Sequence, residues 1–202
     1  RGNEMYEDVC KDLGVTFKRT SAFVVATSAE EEAVLEGLYN QSVERGVPVS
    51  WLSGDEAREL EPNLSPNVTK AIELPTTGIV SPWEVSIALA EECVLNGVDL
   101  RLEEEVTAIE KKEQSFTITT DSNTYETKYV INAAGVYAAK LYEMVAENDE
   151  FNITPRKGEY FVLDRLKKPL VSRIIYPVPS SAGKGVLVVP TVHGNILLGP
   201  NS

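Results

Sequence analysis

The chain has 202 residues, a formal net charge of −12, and 43% hydrophobic and 25% charged residues. This is the balance of an ordinary globular protein, long enough for one large domain or two small ones. An acidic chain without clustered Lys and Arg argues against nucleic acid as a partner; no apolar run is long enough for a membrane span, and no signal-like segment opens the sequence.

Three helix starts share one signature, a serine followed three residues later by glutamate: Ser28 with Glu31, Ser53 with Glu56, and Ser81 with Glu84. Each pair is expected to form a capping box, in which serine and glutamate satisfy each other's orphan backbone donors. The first helix is expected to end at Gly46. The third has Pro82 at its first helical position, where a missing N–H costs nothing, and is expected to stop at Gly97. Its residues Trp83, Ile87, Ala90 and Val94 are spaced for one buried face, with Cys93 in the same apolar stripe.

Strands are expected at 21–27, 70–74 and 98–102, the last directly after the third helix. The stretches 105–113, 115–121 and 124–134 read as an antiparallel meander with a turn near Asp121-Ser122-Asn123. Further extended segments are expected at 159–164, 173–178, 185–191 and 195–200, the last two joined by a hairpin turn at Val192-His193-Gly194. There is no internal repeat and no low-complexity linker. The fold class is α+β, or mixed α/β, with strands dominating the latter half. The glutamate runs 30–32 and 103–105 are expected at the solvated surface.

Cys10 and Cys93 lie far apart and outside any Cys-x-x-Cys pair, which points to a reducing compartment, the cytoplasm. With His193 as the single histidine, a Cys/His zinc site cannot be built, so no metal is expected. No Gly-x-Ser-x-Gly elbow and no P-loop are present. The chain begins at Arg1 and stops at Ser202, directly after an apolar strand, so an internal fragment of a longer polypeptide is expected.

The stretch "KYVINAAGVYA" (128–138) carries the most chemical information. Three apolar residues run into Asn132-Ala133-Ala134-Gly135, and a helical pattern begins near Val136. Small residues between a strand and a helix allow either tight packing or the close approach of an extended ligand such as a dinucleotide.

"YVINAAGVYAAKL" resembles the late FAD-contacting segment of flavoproteins of the glycine/D-amino-acid oxidase type. "TTGIVSPWEVSIALAEECVLNGVDLRLEEEVTAIE" resembles another segment of that family, with Ser81 where an Asp is usual. "ITPRKGEYFVLD" and "VLVVPTVHGNILLGPNS" resemble two branches, FAD-dependent glycerol-3-phosphate dehydrogenases and L-2-hydroxyglutarate oxidases. The resemblance covers nearly the whole chain and implies FAD as cofactor. The family's N-terminal Gly-x-Gly-x-x-Gly loop matches no window of the sequence. The implied organisation is a substrate-binding domain in two parts, 1–75 and 149–202, flanking residues 76–148 as an inner piece of a Rossmann-like FAD-binding domain.

The resemblance implies a flavin-dependent oxidation of a small anionic alcohol, glycerol 3-phosphate first and a 2-hydroxy acid such as L-2-hydroxyglutarate second. Electrons would pass to a quinone, a partner protein or oxygen. The location would be cytoplasmic, or peripheral to a membrane through the acceptor. A non-catalytic assembly subunit of a dehydrogenase complex is the alternative of another class. The expected cofactor-binding residues are Val106, whose backbone resembles an adenine-holding position, and Asn132, Ala133, Ala134 and Gly135. Arg156 is expected to clamp an anionic group, with Lys157, Gly158 and Tyr160 beside it. His193 is the candidate base, as the single imidazole; its place beside Gly194 in a turn favours a structural role.

Overall fold

The computed structural model describes residues 2–146, 151–180, 183 and 185–201. They divide into two compact units, one formed by 1–96 with 158–202 and the other by 97–157. The expected seam at 148/149 lies outside the described residues.

The first unit is built on a seven-stranded sheet. In chain order its region contains helix α1 (Gly2–Asp12), strands β1 (Phe17–Arg19) and β2 (Ala22–Ala26), helix α2 (Ala29–Glu44), strand β3 (Ser50–Ser53), helix α3 (Gly54–Leu60), strands β4 (Lys70–Leu74) and β5 (Gly78–Val80), and helix α4 (Pro82–Leu95). The second unit holds β6 (Val106–Lys111), β7 (Phe116–Thr120), β8 (Thr124–Thr127), a 3₁₀ turn (Gly135–Tyr137) and helix α5 (Ala138–Glu143). The first unit then resumes with β9 (Phe161–Leu163), β10 (Ile174–Pro177), β11 (Leu187–Pro190) and β12 (Ile196–Gly199).

The large sheet runs β3-β4-β2-β10-β11-β12-β9. Only β2 and β10 pair in parallel; the other neighbours are antiparallel. Central β2 is buried at every residue, which is why "AFVVA" is a continuous apolar run rather than an alternating one. Phe23 and Val25 pack on one face with Ala57 of α3, Val68, Ala71, Ile175 and Ile196. Val24 and Ala26 pack on the other with Leu35 of α2, Ile72 and Val178. The β1–β5 pair forms a separate two-stranded sheet, Phe17 opposite Val80.

The three serines cap as expected, but only one box closes fully. Ser53 Oγ accepts from the Glu56 N–H, and the Glu56 carboxylate accepts from the Ser53 N–H at 2.7 Å. Ser28 accepts from the Glu31 N–H, while the Glu31 side chain reaches one residue further back, to the Thr27 N–H at 2.6 Å. Ser81 accepts from the Glu84 N–H at 3.4 Å, and the Glu84 carboxylate turns elsewhere. A buried carboxylate, Glu61, fastens the loop before β10 by accepting from the Ser172 N–H at 3.0 Å, with Arg173 3.3 Å away.

Four expectations need correction. Helix α4 buries Val85 rather than the stripe of Trp83, Ile87, Ala90 and Val94; Trp83 is 75% exposed. The helix is apolar around most of its circumference, so spacing alone does not select a buried face. Cys93 is exposed with it, and Cys10 is the buried thiol. Residues 98–102 form no strand, and the last meander strand ends at Thr127 instead of running to Ala134. Both stretches have strand composition but, among the described residues, lack a neighbouring strand, without which β propensity has no ladder to express it. Helix α1 was not expected at all, although Tyr6, Val9, Cys10 and Leu13 carry a helical spacing that would have shown it.

Candidate functional site

In the second unit, β6, β7 and β8 form the expected meander, with Ile109 opposite Ile118 and Ile118 opposite Tyr125. The register slips between Val106 and Ala108, a bulge that bends the start of β6. Glu104, just before it, accepts hydrogen bonds from Thr120 Oγ1 (2.8 Å), Asn123 Nδ2 (2.9 Å) and Tyr125 Oη (2.7 Å). The Asn123, Tyr125 and Thr120 donors hold its carboxyl below the usual carboxylate range. The same contact pushes the Tyr125 phenol up. The glutamate run 103–105 is thus not merely a solvated surface.

The Asn132-Ala133-Ala134-Gly135 stretch is a turn organised by its asparagine. Asn132 Oδ1 accepts from the Ala134 N–H at 3.3 Å, and Asn132 Nδ2 donates to the Ala138 carbonyl at 2.8 Å. Gly135 has φ +56°, a left-handed conformation that a side chain would strain. The chain then turns into α5, whose Ala139 is buried. Lys140 Nζ meets Glu105 Oε1 at 2.8 Å, tying α5 to the approach of β6. That pairing lowers the Glu105 carboxyl and raises the Lys140 ammonium from their ordinary values.

Between these elements lies a cavity of about 380 Å³, lined by Glu105, Val106, Tyr137, Lys140 and Leu141. Val106 and the helix that follows Gly135 therefore meet at one hollow, although 29 residues separate Val106 from Gly135 in the sequence (135 − 106). The lining residues Tyr137, Lys140 and Leu141 were not singled out from sequence; the helical spacing 137, 140, 141 places them on one face of the turn. Asn132, Ala133, Ala134 and Gly135 are not among the residues that line the cavity.

The first unit carries His193, Gly158 and Tyr160. His193 lies in the turn joining β11 to β12, as expected, and its Nε2 is 2.8 Å from Glu84 Oε1 at the start of α4. Lys18 Nζ donates to the neighbouring Val192 carbonyl at 2.7 Å. These contacts border a cavity of about 510 Å³ with mainly apolar walls, including Ile79, Val80, Val189 and Leu197, and with Thr191 and His193 among its polar groups. Gly158 lies against the segment after β12: a Cβ on it would stand 2.8 Å from the Pro200 Cβ. Glu159 is bound through its N–H to Asn201 Oδ1 at 2.8 Å, and Tyr160 is half exposed. Arg156 and Lys157 are exposed at the end of the second unit. The expected substrate-binding group is thus divided between the units at Lys157 and Gly158.

A family model described as FAD dependent oxidoreductase matches residues 1–202. Glycerol 3-phosphate dehydrogenase of Caloramator mitchellensis is 46% identical over 203 residues, covering 100% of this chain and 42% of that protein. L-2-hydroxyglutarate dehydrogenase of Escherichia coli K12 is 30% identical over 204 residues, covering 100% of this chain and 48% of that protein. Among solved structures, the L-alpha-glycerophosphate oxidase of Mycoplasma pneumoniae with FAD bound superposes with a TM-score of 0.90 at 27% identity, covering 99% of this chain and 54% of that one. Glycine oxidase of Geobacillus kaustophilus gives 0.86 at 25% identity, over 98% of this chain and 53% of that one. The chain spans about half the length of the relatives it matches.

Proposed function

The chain belongs to the FAD dependent oxidoreductase family, and on that premise we propose that it is part of a flavoenzyme that oxidises glycerol 3-phosphate. The observation that carries the substrate is the 46% identity to a glycerol 3-phosphate dehydrogenase across the full chain. The 30% identity to L-2-hydroxyglutarate dehydrogenase keeps a 2-hydroxy acid as the second reading. Both substrates are small anionic alcohols, so both ask the protein for a fixed cation and a proton acceptor.

FAD, when bound, supplies the acceptor for the hydride of the carbinol carbon. What this chain offers toward it is the second unit's hollow beside Val106. Its Val106 and Leu141 side chains and Tyr137 ring suit a flat heterocycle, and the left-handed Gly135 leaves open space above its backbone. These features fit part of the cofactor, to which the sequence reading assigned Val106, at the adenine, and Asn132, Ala133, Ala134 and Gly135. They do not include a glycine-rich phosphate loop. In this reading 76–148 contributes to the FAD-binding domain, while 1–75 and 149–202 contribute to the substrate-binding domain.

Arg156 and Lys157 are the cations proposed for the substrate's anionic group, with Tyr160 as hydrogen-bond donor. Their exposure and their place next to the Gly158 crossing support that assignment. His193 is proposed as a pin: its contact with Glu84 holds the β11–β12 turn at the start of α4. The electron acceptor is proposed to be a quinone, a partner protein or oxygen. No helix among the described residues is long and apolar enough to cross a membrane, and a cytoplasmic site, or a peripheral one through the acceptor, is proposed.

The reading is tested by steady-state oxidation with an artificial dye acceptor, using a protein of the relatives' length that carries this chain. Glycerol 3-phosphate is expected to have the higher kcat/KM. A preference for L-2-hydroxyglutarate would move the assignment to the second reading. Turnover of neither, by a protein that holds no FAD, would support the assembly-subunit alternative.

A further inference from the structure

The hollow beside Val106 has a polar rim as well as apolar walls. Glu105 and Lys140 both line it, and Lys140 Nζ donates to Glu105 Oε1 at 2.8 Å. Each partner is fixed through its own backbone. The Glu105 carbonyl accepts from the Asp121 N–H at 3.0 Å, and Lys140 follows the buried Ala139 of α5. Both side chains are more than half exposed, so their ion pair adds little to the stability of the fold. Its place on the rim of a cavity suits it to recognition instead.

A carboxylate has about four lone-pair sites and an ammonium has three N–H donors, and the bond between them uses one of each. The pairing lowers the Glu105 carboxyl and raises the Lys140 ammonium from their ordinary values, so both are charged at neutral pH. The rim therefore sets an acceptor beside a donor. Adenine complements that order: its 6-amino group donates, and the ring nitrogens next to it accept. The pyrimidine edge of a flavin does not, because its N–H stands between two carbonyls and a carboxylate there would face like oxygens. Hypoxanthine, the 6-oxo purine, also fails, turning an oxygen toward the carboxylate. Val106, Leu141 and the Tyr137 ring give flat apolar surfaces for a heterocycle, and the cavity's 380 Å³ lies within the range of roughly 300–1,000 Å³ usual for small-molecule sites.

We propose that the side chains of Glu105 and Lys140 are the base-specificity determinants of this hollow, Glu105 accepting from the 6-amino group of the FAD adenine and Lys140 donating to a neighbouring ring nitrogen. The inference rests on the flavin reading and adds to it. The role expected of Val106 is a backbone one, which many residues could fill at that position; the ion pair beside it assigns two side chains a chemical choice between adenine and a 6-oxo base. The Lys140 bond also has a positioning effect, since it holds the Glu105 carboxylate at the rim.

The test compares FAD with flavin hypoxanthine dinucleotide, in which an oxo group replaces the 6-amino group. Apoprotein of the relatives' length, carrying this chain, is titrated with each, and Kd is read from flavin fluorescence without substrate. Both dinucleotides carry the same flavin and pyrophosphate, so the ratio of the two Kd values reports the base alone. FAD is expected to bind at least about fivefold more tightly, the lower end for a hydrogen bond to a charged group that is partly exposed to water. Glu105→Gln, whose amide can turn to suit either base, and Lys140→Met are each expected to cut that ratio by at least about half. Lys140→Arg, which keeps a donor, is expected to retain it. A ratio below about fivefold, or one that Glu105→Gln and Lys140→Met leave unchanged, overturns the proposal while leaving the flavin reading in place. Uptake of neither dinucleotide overturns both.

Discussion

Glu84 sits where the other two caps have a glutamate that reaches back to the backbone. Glu31 and Glu56 each accept a backbone N–H within the cap region, whereas Glu84 accepts contact from His193 instead. The sequence showed the cap and the histidine but not their meeting, because 109 residues separate them (193 − 84) and only the fold of the β11–β12 turn brings them together. A pin and a general base respond differently to removal of the imidazole. In a protein of relative length, His193→Gln, which keeps a donor for Glu84, is expected to lower kcat by far less than the roughly 10²-fold that loss of a general base costs. Its pH–rate profile is expected to keep its shape. A drop of that size with loss of the acidic limb would make His193 the base. Glu104 gives a second residue-scale expectation. Its carboxyl is held below the ordinary carboxylate range by Asn123, Tyr125 and Thr120. A group depressed in the folded state adds stability above its unfolded pKa and loses it as pH falls through the folded value. Glu104→Gln is therefore expected to lower the Tm at pH 7, and the gap between the two proteins is expected to close as pH is taken below the usual carboxylate range. A gap that stays constant down to acid pH would show that the carboxylate's charge is not what the three donors recognise.

Among the elements, the helix starts were the most legible, because a cap is a local device written within four residues. The closed box at Ser53 has both arms, and the cap at Ser81 has one long arm of 3.4 Å. Ser53→Ala is expected to cost about 1 kcal/mol, and Ser81→Ala less; urea denaturation of the 202-residue chain compares them. An equal cost for both would mean that the Ser53 hydroxyl's own bond to the Glu56 carboxylate, at 2.7 Å, contributes nothing. The hairpin at His193 and the meander turn at Asp121-Ser122-Asn123 were legible for the same local reason. Strand existence was less so. "AFVVA" became the buried centre of a sheet because β4 and β10 flank it, while "YVI" at 129–131 has equal propensity and no flanking strand among the described residues. A strand is a property of a pair, and a single sequence shows only one member of it. The buried face of α4 failed for a related reason: its apolar residues surround the helix, so its orientation is set by what packs on it rather than by its own spacing.

At the scale of the whole molecule, the mixed α/β class and the flavoprotein family were both readable from four ordered sequence segments, and the family match over residues 1–202 agrees with them. The candidate site was legible only in part. Val106 lines a hollow that the turn at Asn132–Gly135 does not line, and the residues that wall it with Val106, among them Tyr137, Lys140 and Leu141, follow the recognised motif and share only a helical spacing. The proposed substrate-binding group falls on both sides of the division at Lys157 and Gly158, a boundary that no local composition marks. We propose that this chain is part of a flavin-dependent dehydrogenase of glycerol 3-phosphate. The most direct test is the visible spectrum of a relative-length protein carrying the chain, recorded before and after anaerobic addition of glycerol 3-phosphate. A yellow protein whose flavin absorbance bleaches on addition is the predicted result. A protein that binds FAD and stays yellow with glycerol 3-phosphate, or one that takes up no FAD, would contradict the account.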